Sequence, residues 1–192
     1  MTTRSATRRK PDIVNHLQKM LISPTSPDDI AGLTAIYSHH VIHGSGSFEI
    51  DPPDADEMAR RWQAVTHQGM PHLVLKEADQ VLGFAYAQPF RPRPAYRYTL
   101  EDSIYLHPQA MGRGLGRVLL AELIGRAERL GARQMVAVIG DSANHGSIRL
   151  HRALGFVPAG QLHASGYKHD RWLDTVFMQR PLGAGDQSPP GP

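Results

Sequence analysis

The feature that most constrains this chain is a glycine-rich turn between a strand-like segment and a long amphipathic helix. Residues 111–116 are Met-Gly-Arg-Gly-Leu-Gly, and a strand pattern precedes them from about Leu100 to Leu106. After them, apolar residues recur at helical spacing up to Leu130, and Gly131 is the expected end of that helix. Glycines let a phosphate approach the backbone, and the first N–H groups of a helix attract an anion. The turn therefore predicts a pyrophosphate site, although such a turn can also serve backbone geometry alone.

Two other glycine motifs are excluded by the surroundings of the turn. The phosphate loop of P-loop NTPases ends in Gly-Lys-Ser/Thr, whereas Arg117 and Val118 follow Gly116 here. A dinucleotide-binding fold places its glycine loop after the first strand of a βαβ unit, whereas two predicted helices and a hairpin come first in this chain. Coenzyme A is the remaining ligand of this kind.

The other predicted elements place the turn inside a mixed sheet. Ser26 and Pro27 mark a helix start, because serine caps a helix and proline suits its first position. The predicted order is helix, helix, strand, strand, strand, helix, strand, helix, strand, which predicts an α/β (α+β) fold with helices on both faces of the sheet. The approximate elements besides those around the turn are 30–37, 54–67, 72–76, 81–88, 135–139 and 144–154.

Composition divides the chain into three parts. Residues 1–20 are predicted to be a basic, disordered leader, and residues 183–192 a Gly/Pro-rich tail with few apolar side chains to offset its ordering entropy. Residues 21–182 are predicted to form one domain.

Several classes of site and protein are disfavoured by composition. The chain has no cysteine, which excludes disulfides, thiolate nucleophiles and Cys-based zinc sites and fits a cytoplasmic protein. No apolar run reaches the roughly 18 residues that span a bilayer. The net charge of +3 is small, and no aromatic residue interrupts the basic N-terminus, so we expect neither a membrane nor a nucleic-acid partner. His39, His40 and His43 lie close together, but no carboxylates accompany them at ligand spacing, so we expect no metal site.

The glycine turn and the residues before it carry a family resemblance. Leu106-His107-Pro108 followed by residues 112–116 resembles the acetyl-CoA signature of the GNAT acetyltransferases. In that signature a Gln or Arg precedes the glycines, and here the position holds Met111. The departure removes one polar side chain from a cradle built mainly from backbone N–H groups. The resemblance implies the GNAT fold, with a mixed, mostly antiparallel central sheet.

Two downstream segments resemble one branch of the same family. Asn144-x-x-Ser147-x-x-x-His151-x-x-x-Gly155-Phe156 is similar to the second coenzyme motif, in which a tyrosine often stands where His151 stands. Histidine there is typical of the phosphinothricin and methionine sulfoximine acetyltransferase branch. The segments 96–105 and 166–174 match that branch as well, so the resemblance extends from about Pro27 to Leu182.

The resemblance implies a role for each matching residue. Glu101 and His151 would lie at the reaction centre, one taking a proton from the acceptor amine and the other protonating the leaving thiolate. Phe48, Arg93 and Tyr96 would line the acceptor pocket. The residues implied in acetyl-CoA binding are Ile104, Tyr105, Leu106, Met111, Gly112, Arg113, Gly114, Leu115, Gly116, Asn144 and Ser147.

The implied activity is acetyl transfer from acetyl-CoA to the amine of a small amino-acid-like acceptor, with no metal. Because direct attack by the amine needs no covalent enzyme intermediate, the lack of cysteine is compatible with this activity. Two alternatives remain open: an acetyltransferase for another amine (a polyamine, an aminoglycoside or a protein N-terminus), and a non-catalytic module that binds coenzyme A. The resemblance also implies a homodimer.

Overall fold

The protein, as a computed structural model, is described over residues 20–190, so residues 1–19 of the predicted leader lie outside the described range. Its sheet has seven strands in the order β1-β2-β3-β4-β5-β7-β6. The strands are β1 (Met20–Pro24), β2 (His72–Glu77), β3 (Gln80–Pro89), β4 (Thr99–Leu106), β5 (Gln134–Gly140), β6 (Val157–Lys168) and β7 (Arg171–Pro181). The helices are α1 (Ile30–His43), α2 (Ala55–His67), α3 (Leu115–Arg129) and α4 (His145–Ala153). Only β4 and β5 pair in parallel among these strands, which confirms the predicted mixed, mostly antiparallel sheet.

Two apolar cores lie on the two faces of the sheet. Strand β2 contributes to both, because successive side chains of a strand point to opposite faces: Leu73 and Leu75 join the core under α3, whereas Val74 joins the core under α1 and α2. Helix α3 is held by Leu119 and its apolar neighbours, as its periodicity predicts. The prediction of helices on both faces is therefore confirmed.

The predicted order of elements was wrong at both ends of the sheet. It lacked β1, an edge strand of five residues that pairs with β2. It also counted a single strand after the last helix, where β6 and β7 form a hairpin. Strand β6 is exposed along almost its whole length, so it lacks the alternation of apolar and polar residues by which a half-buried strand is predicted.

The start of the predicted tail forms turns in this structure. The guanidinium of Arg133 donates hydrogen bonds to the carbonyl oxygens of Gly185 at 2.8 Å and Ser188 at 2.6 Å. Residues 191–192 lie outside the described range, and the domain boundaries stay a prediction.

The two central strands, β4 and β5, separate halfway along their length. Strands β4 and β5 pair only from Thr99 opposite Gln134 to Asp102 opposite Ala137. Beyond that point β4 continues to Leu106 along β3, and β5 continues to Gly140 along β7. The result is a V-shaped gap in the middle of the sheet, next to the start of α3.

Candidate active site

The gap between β4 and β5 opens into a cavity of about 360 Å³. Its walls come from the parting strands, the glycine turn and the first half of α4. Of the residues predicted to bind acetyl-CoA, all except Arg113 line it: Ile104, Tyr105, Leu106, Met111, Gly112, Gly114, Leu115, Gly116, Asn144 and Ser147. The predicted catalytic residue His151 lines it as well. The structure therefore brings these residues, distant in sequence, around one space.

The glycine turn needs its glycines for two separate reasons. Gly112 and Gly114 have φ angles of +74° and +79°, which L-residues with a side chain rarely adopt, and a Cβ at either would meet no atom within 4 Å. Gly116 lies inside the first turn of α3, where a Cβ would approach Leu106 at 3.2 Å and Leu150 at 3.3 Å. The first two glycines leave open space beside the helix N-terminus, and the third allows close packing.

Two arginines differ in how they face this turn. The guanidinium of Arg113, predicted to bind the coenzyme, lies 3.4 Å from the carboxylate of Glu77, and Arg113 does not line the cavity. Arg117, in the first turn of α3, is exposed and lines the cavity. Positive charge for a pyrophosphate is therefore better placed on Arg117 than on Arg113.

The open edge of β4 offers backbone donors to the cavity. His40 Nε2 donates a hydrogen bond to the carbonyl oxygen of Leu106 at 2.8 Å, while the N–H of His107 donates to β3. Because the N–H and C=O of one strand residue point to the same side, Leu106 and Ile104 direct their N–H groups into the gap, and Tyr105 directs its own toward β3. Burial lowers the pKa of His40, so its ring is neutral and its single N–H is the donor.

His151 forms a buried pair with Asp102 at the floor of the cavity. Its Nε2 lies 3.0 Å from Asp102 Oδ2, and the two side chains are 3% and 1% exposed. Burial alone would lower the pKa of His151, but the hydrogen bond and charge of Asp102, together with the carbonyl of Ser147, raise it above the ordinary value. The contacts with Asp102 and Ser147 therefore favour the protonated form of the imidazole.

The N-terminus of α4 is fixed by a side-chain cap. Asn144 Oδ1 accepts a hydrogen bond from the backbone N–H of Ser147 at 3.2 Å. The cap orients the first turn of α4 toward the gap, and both side chains line the cavity.

Glu101 lies on the opposite face of the sheet from His151. It is opposite Gln88 of β3, with which it hydrogen-bonds, whereas Asp102, the next residue, points to the α4 side. Glu101 is half-buried, and burial raises its pKa, against the smaller lowering effect of Arg91. Glu101 does not line the cavity, but it stands at the level of the sheet where β4 and β5 part. A carboxylate and an imidazole therefore flank the gap from its two sides.

Phe48 lies in a loop that closes one end of the gap. A Cβ on Gly166 would come within 2.5 Å of its ring, and one on Gly140 within 2.9 Å, so both glycines leave room for the phenyl group. Lys168 and His169 hold the loop through hydrogen bonds to the carbonyl oxygens of residues 47 and 44, at 2.7 Å and 3.2 Å. The segment 166–169, which carried part of the family resemblance, thus fixes the loop that carries Phe48.

Arg93 and Tyr96, the other predicted acceptor residues, lie in the exposed connection between β3 and β4. Tyr96 packs edge-on against Phe90, with ring centroids 5.8 Å apart. Neither Arg93 nor Tyr96 lines the cavity. The connection begins and ends beside Glu101, because the N–H of Phe90 donates to the carbonyl of Thr99. Both residues therefore lie beyond the ends of β3 and β4 that are next to Glu101.

A second cavity of about 200 Å³ lies on the face that carries Glu101, between α1, α2 and the sheet. It is lined by Arg61, Trp62, His72 and Gln88, among others. Arg61 is held by Glu49 at 2.7 Å, so its charge is already paired.

Sequence reasoning missed three ionisable residues among those that line the main cavity: His40, Asp102 and Arg117. Asp102 follows Glu101 directly, and the alternation of a strand would have placed it on the other face, but nothing in the sequence indicates its contact with His151. Arg117 follows the glycine turn directly, and this position is the signal in the sequence that could have identified it. Of the neighbouring His39, His40 and His43, only His40 lines the cavity.

Residues 20–190 contain neither a metal-binding cluster nor a membrane-spanning helix. No group of three or more histidine or acidic side chains in this range is arranged to hold a metal ion. None of the helices in the same range is long and apolar enough to cross a membrane.

Comparison with known proteins agrees with the geometry. Residues 34–156 match the acetyltransferase (GNAT) family. The phosphinothricin N-acetyltransferase of Alcaligenes faecalis is 53% identical over 85% of this chain and 83% of its own. The L-methionine sulfoximine/L-methionine sulfone acetyltransferase of Salmonella typhimurium is 42% identical over 80% of this chain and 90% of its own.

A solved structure shares the fold closely. The GNAT superfamily phosphinothricin acetyltransferase of Sinorhizobium meliloti, crystallised in complex with AcCoA, superposes with a TM-score of 0.87 at 48% identity, over 90% of this chain and 94% of that one. The chain belongs to the GNAT acetyltransferase family.

Proposed function

We propose that this protein transfers the acetyl group of acetyl-CoA to the amino group of a small amino-acid-like acceptor such as phosphinothricin, methionine sulfoximine or methionine sulfone. The observation that carries the proposal is the gap between β4 and β5, with a phosphate cradle at one end and the pair of His151 and Asp102 at its floor. The named activities of relatives at 53% and 42% identity support the acceptor class.

The coenzyme would be bound largely by backbone groups. The N-terminus of α3, beside Gly112 and Gly114, would receive the pyrophosphate, with Arg117 adding positive charge. The free N–H groups of Ile104 and Leu106 would pair with the pantetheine arm as an added strand does. This places the thioester where the two strands part.

The reaction then uses the two sides of the gap. Glu101, with its raised pKa, would take a proton from the acceptor ammonium on its own face. The free amine would attack the thioester carbonyl, and an N–H on the open edge of β4 would stabilise the oxyanion. His151, which holds a proton, would provide it for the departing thiolate. The nitrogen that attacked releases its second proton to water as the amide forms, and Glu101 returns its own proton to solvent. The acetylated amine leaves, and no bond to the enzyme forms.

The acceptor would be recognised by its carboxylate. Arg93 lies in the connection between β3 and β4 together with Arg91, which acts on Glu101 through its charge. A guanidinium can bind a carboxylate with two parallel hydrogen bonds. Phe48, at the end of the gap, would pack against the acceptor side chain, and Tyr96 would close the pocket from the connection.

A thiol-release assay with a panel of amines tests this proposal. We expect phosphinothricin, methionine sulfoximine and methionine sulfone to be acetylated much faster than their decarboxylated analogues. A preference for a polyamine, an aminoglycoside or a peptide N-terminus would indicate the second candidate activity. Binding of coenzyme A without release of thiol from any amine would indicate a non-catalytic module.

The proposal includes a homodimer in the cytoplasm. Strand β6 lies at the edge of the sheet, and Val157, Leu162 and Tyr167 on it, together with Trp172 on the neighbouring β7, are more than half exposed. A second copy of the chain could cover this surface. Sedimentation analysis should give twice the monomer mass, and Leu162→Asp should reduce it to the monomer. A wild-type monomer would contradict this assembly. The location in the cytoplasm stays a prediction.

A further inference from the structure

Both ring nitrogens of His151 already have partners. Nε2 lies 3.0 Å from Asp102 Oδ2, and Nδ1 lies 2.8 Å from the carbonyl oxygen of Ser147. A carboxylate and a carbonyl only accept hydrogen bonds, so the doubly protonated ring satisfies both contacts, whereas a neutral ring would leave one acceptor facing a lone pair. The two acceptor contacts of the ring favour an imidazolium.

Three further features favour that charged form and its fixed orientation. His151 lies in the last turn of α4, where the helix dipole favours a cation. The ring of Phe156 packs edge-on against it, perpendicular at 5.0 Å between centroids, and fixes the ring plane. Asp102 is the charged group acting on it, while Phe156 is apolar and Ser147 is neutral. The imidazolium therefore cannot rotate freely toward a ligand.

The hydroxyl of Ser147 connects the ring to the cavity. Ser147 Oγ lies 3.3 Å from His151 Nδ1, and Ser147 is less buried than the ring and lines the cavity. The ring itself is 3% exposed on its side chain, with each N–H already engaged. Ser147 is thus better placed than the imidazole to touch a sulfur atom in the gap.

We infer that Asp102, His151 and Ser147 form a proton relay in which the Ser147 hydroxyl protonates the leaving thiolate and Asp102 positions the imidazolium behind it. This inference rests on the proposed acetyl transfer. The thiolate sulfur takes the hydroxyl hydrogen, so an S–H bond forms as the O–H bond breaks. The single Nδ1 hydrogen is within reach of both the carbonyl oxygen and Oγ of Ser147, and the serine oxygen takes it at the same time. The imidazolium then becomes a neutral ring still bonded to Asp102 through Nε2–H. Water returns the proton to the ring after the thiol leaves.

The second carboxylate oxygen of Asp102 is consistent with this arrangement. Asp102 Oδ1 is buried and has no hydrogen-bond partner among the described residues. Burying a carboxylate that has a hydrogen-bond partner on only one of its oxygens destabilises the fold unless a positive charge lies beside it. The imidazolium supplies that charge, so removing the charge of Asp102 should also remove the reason for the ring to stay protonated.

Nitrogen NMR of the wild-type protein with coenzyme A bound tests the relay without any turnover. Both ring nitrogens of His151, assigned by comparison with His151→Phe, should remain protonated at pH 7 and lose a proton only at higher pH. A neutral ring at pH 7 would overturn the relay. Because this readout needs no acceptor, a failure of the relay differs from a failure of the proposed function, which would appear as no acetylation of any amine.

Kinetics of three variants test the roles separately. Ser147→Ala should lower kcat by about 10²-fold or more with little change in the KM for acetyl-CoA, and Ser147→Thr, which keeps the hydroxyl, should recover most of it. Asp102→Asn should move the alkaline midpoint of the kcat profile down by about one to three pH units, because the opposite charge is lost. Circular dichroism and coenzyme binding would confirm that each variant folds. Equal activity of Ser147→Ala and wild type, or an unmoved midpoint in folded Asp102→Asn, would overturn the inference.

Discussion

Two glycines that flank α3 allow the phosphate cradle to be tested against a matched control. Gly114 precedes the helix with a φ of +79°, and Gly131 follows it with a φ of +82°. An ideal Cβ at either position meets no atom within 4 Å. Only Gly114 lines the cavity. Replacing each with aspartate therefore adds the same side chain to the same backbone conformation, once inside the site and once at the other end of the helix.

The unliganded variants should lose similar stability. A left-handed conformation costs an L-residue about 1–2 kcal/mol, which lowers the melting temperature of a chain of this size by roughly 2–8 °C. The aspartate of Gly114→Asp stands at a helix N-terminus, where its charge is favourable, so this variant should melt no lower than Gly131→Asp.

The two variants should differ once acetyl-CoA is added. At about 100 times its dissociation constant the coenzyme stabilises the wild type by roughly 2.7 kcal/mol, or roughly 5–10 °C. Two like charges about 4 Å apart near a protein surface repel by about 4 kcal/mol, which exceeds that gain. In scanning calorimetry, acetyl-CoA should raise the melting temperature of Gly131→Asp and leave that of Gly114→Asp unchanged. An equal rise in both variants would refute the assignment of the glycine turn to the pyrophosphate.

Three further predictions follow from individual side chains. Glu101→Gln should lower kcat/KM by about 10²- to 10⁴-fold near neutral pH, and the activity should recover as the pH approaches the pKa of the acceptor amine. Because burial raises the pKa of Glu101, the acidic limb of the wild-type kcat/KM profile should have its midpoint above pH 4.5. A Glu101→Gln variant as active as the wild type would rule out Glu101 as the base. Arg93→Ala should raise the KM for the acceptor roughly 10- to 100-fold, with kcat and the KM for acetyl-CoA little changed. Arg97→Ala serves as the control, and the KM for a decarboxylated acceptor should not change in either variant. Equal losses with carboxylated and decarboxylated acceptors would mean that Arg93 has only a structural role. Burial lowers the pKa of His72 from 6.5 to about 4 in the folded state. As the pH falls, the unfolded chain therefore binds a proton at His72 before the folded protein does. The free energy of unfolding should be highest above pH 6.5 and should fall by roughly 3 kcal/mol as the pH drops toward 4. Urea titrations at several pH values should show that the free energy of unfolding of His72→Gln falls less steeply with decreasing pH than that of the wild type. An equal pH dependence in the two proteins would contradict the lowered pKa of His72.

The sequence by itself determined the family and most of the fold. Helix α3 and the glycine turn could be predicted because their signals are local: a helical repeat of apolar residues, and glycines before a helix N-terminus. Motif spacing could place Asn144, Ser147 and His151 on one helix for the same reason. Strand β6 could not be predicted, since an edge strand exposed to water carries no apolar alternation. Strand β1 could not be predicted because it is only five residues long and its apolar run Met20-Leu21-Ile22 does not alternate with polar residues.

Only the tertiary structure decided which side chains meet. Asp102 and His151 are 49 residues apart, and their contact depends on the packing of α4 over β4. Arg113 is drawn away from the cavity by its ion pair with Glu77, a residue of the distant strand β2, whereas Arg117 lines the cavity. The separation of Glu101 from His151 by the sheet follows from the register of β4 against β3. A sequence records what each residue can do, but its partners and its side of the sheet are set by long-range packing, because burial and hydrogen bonding act on neighbours in space.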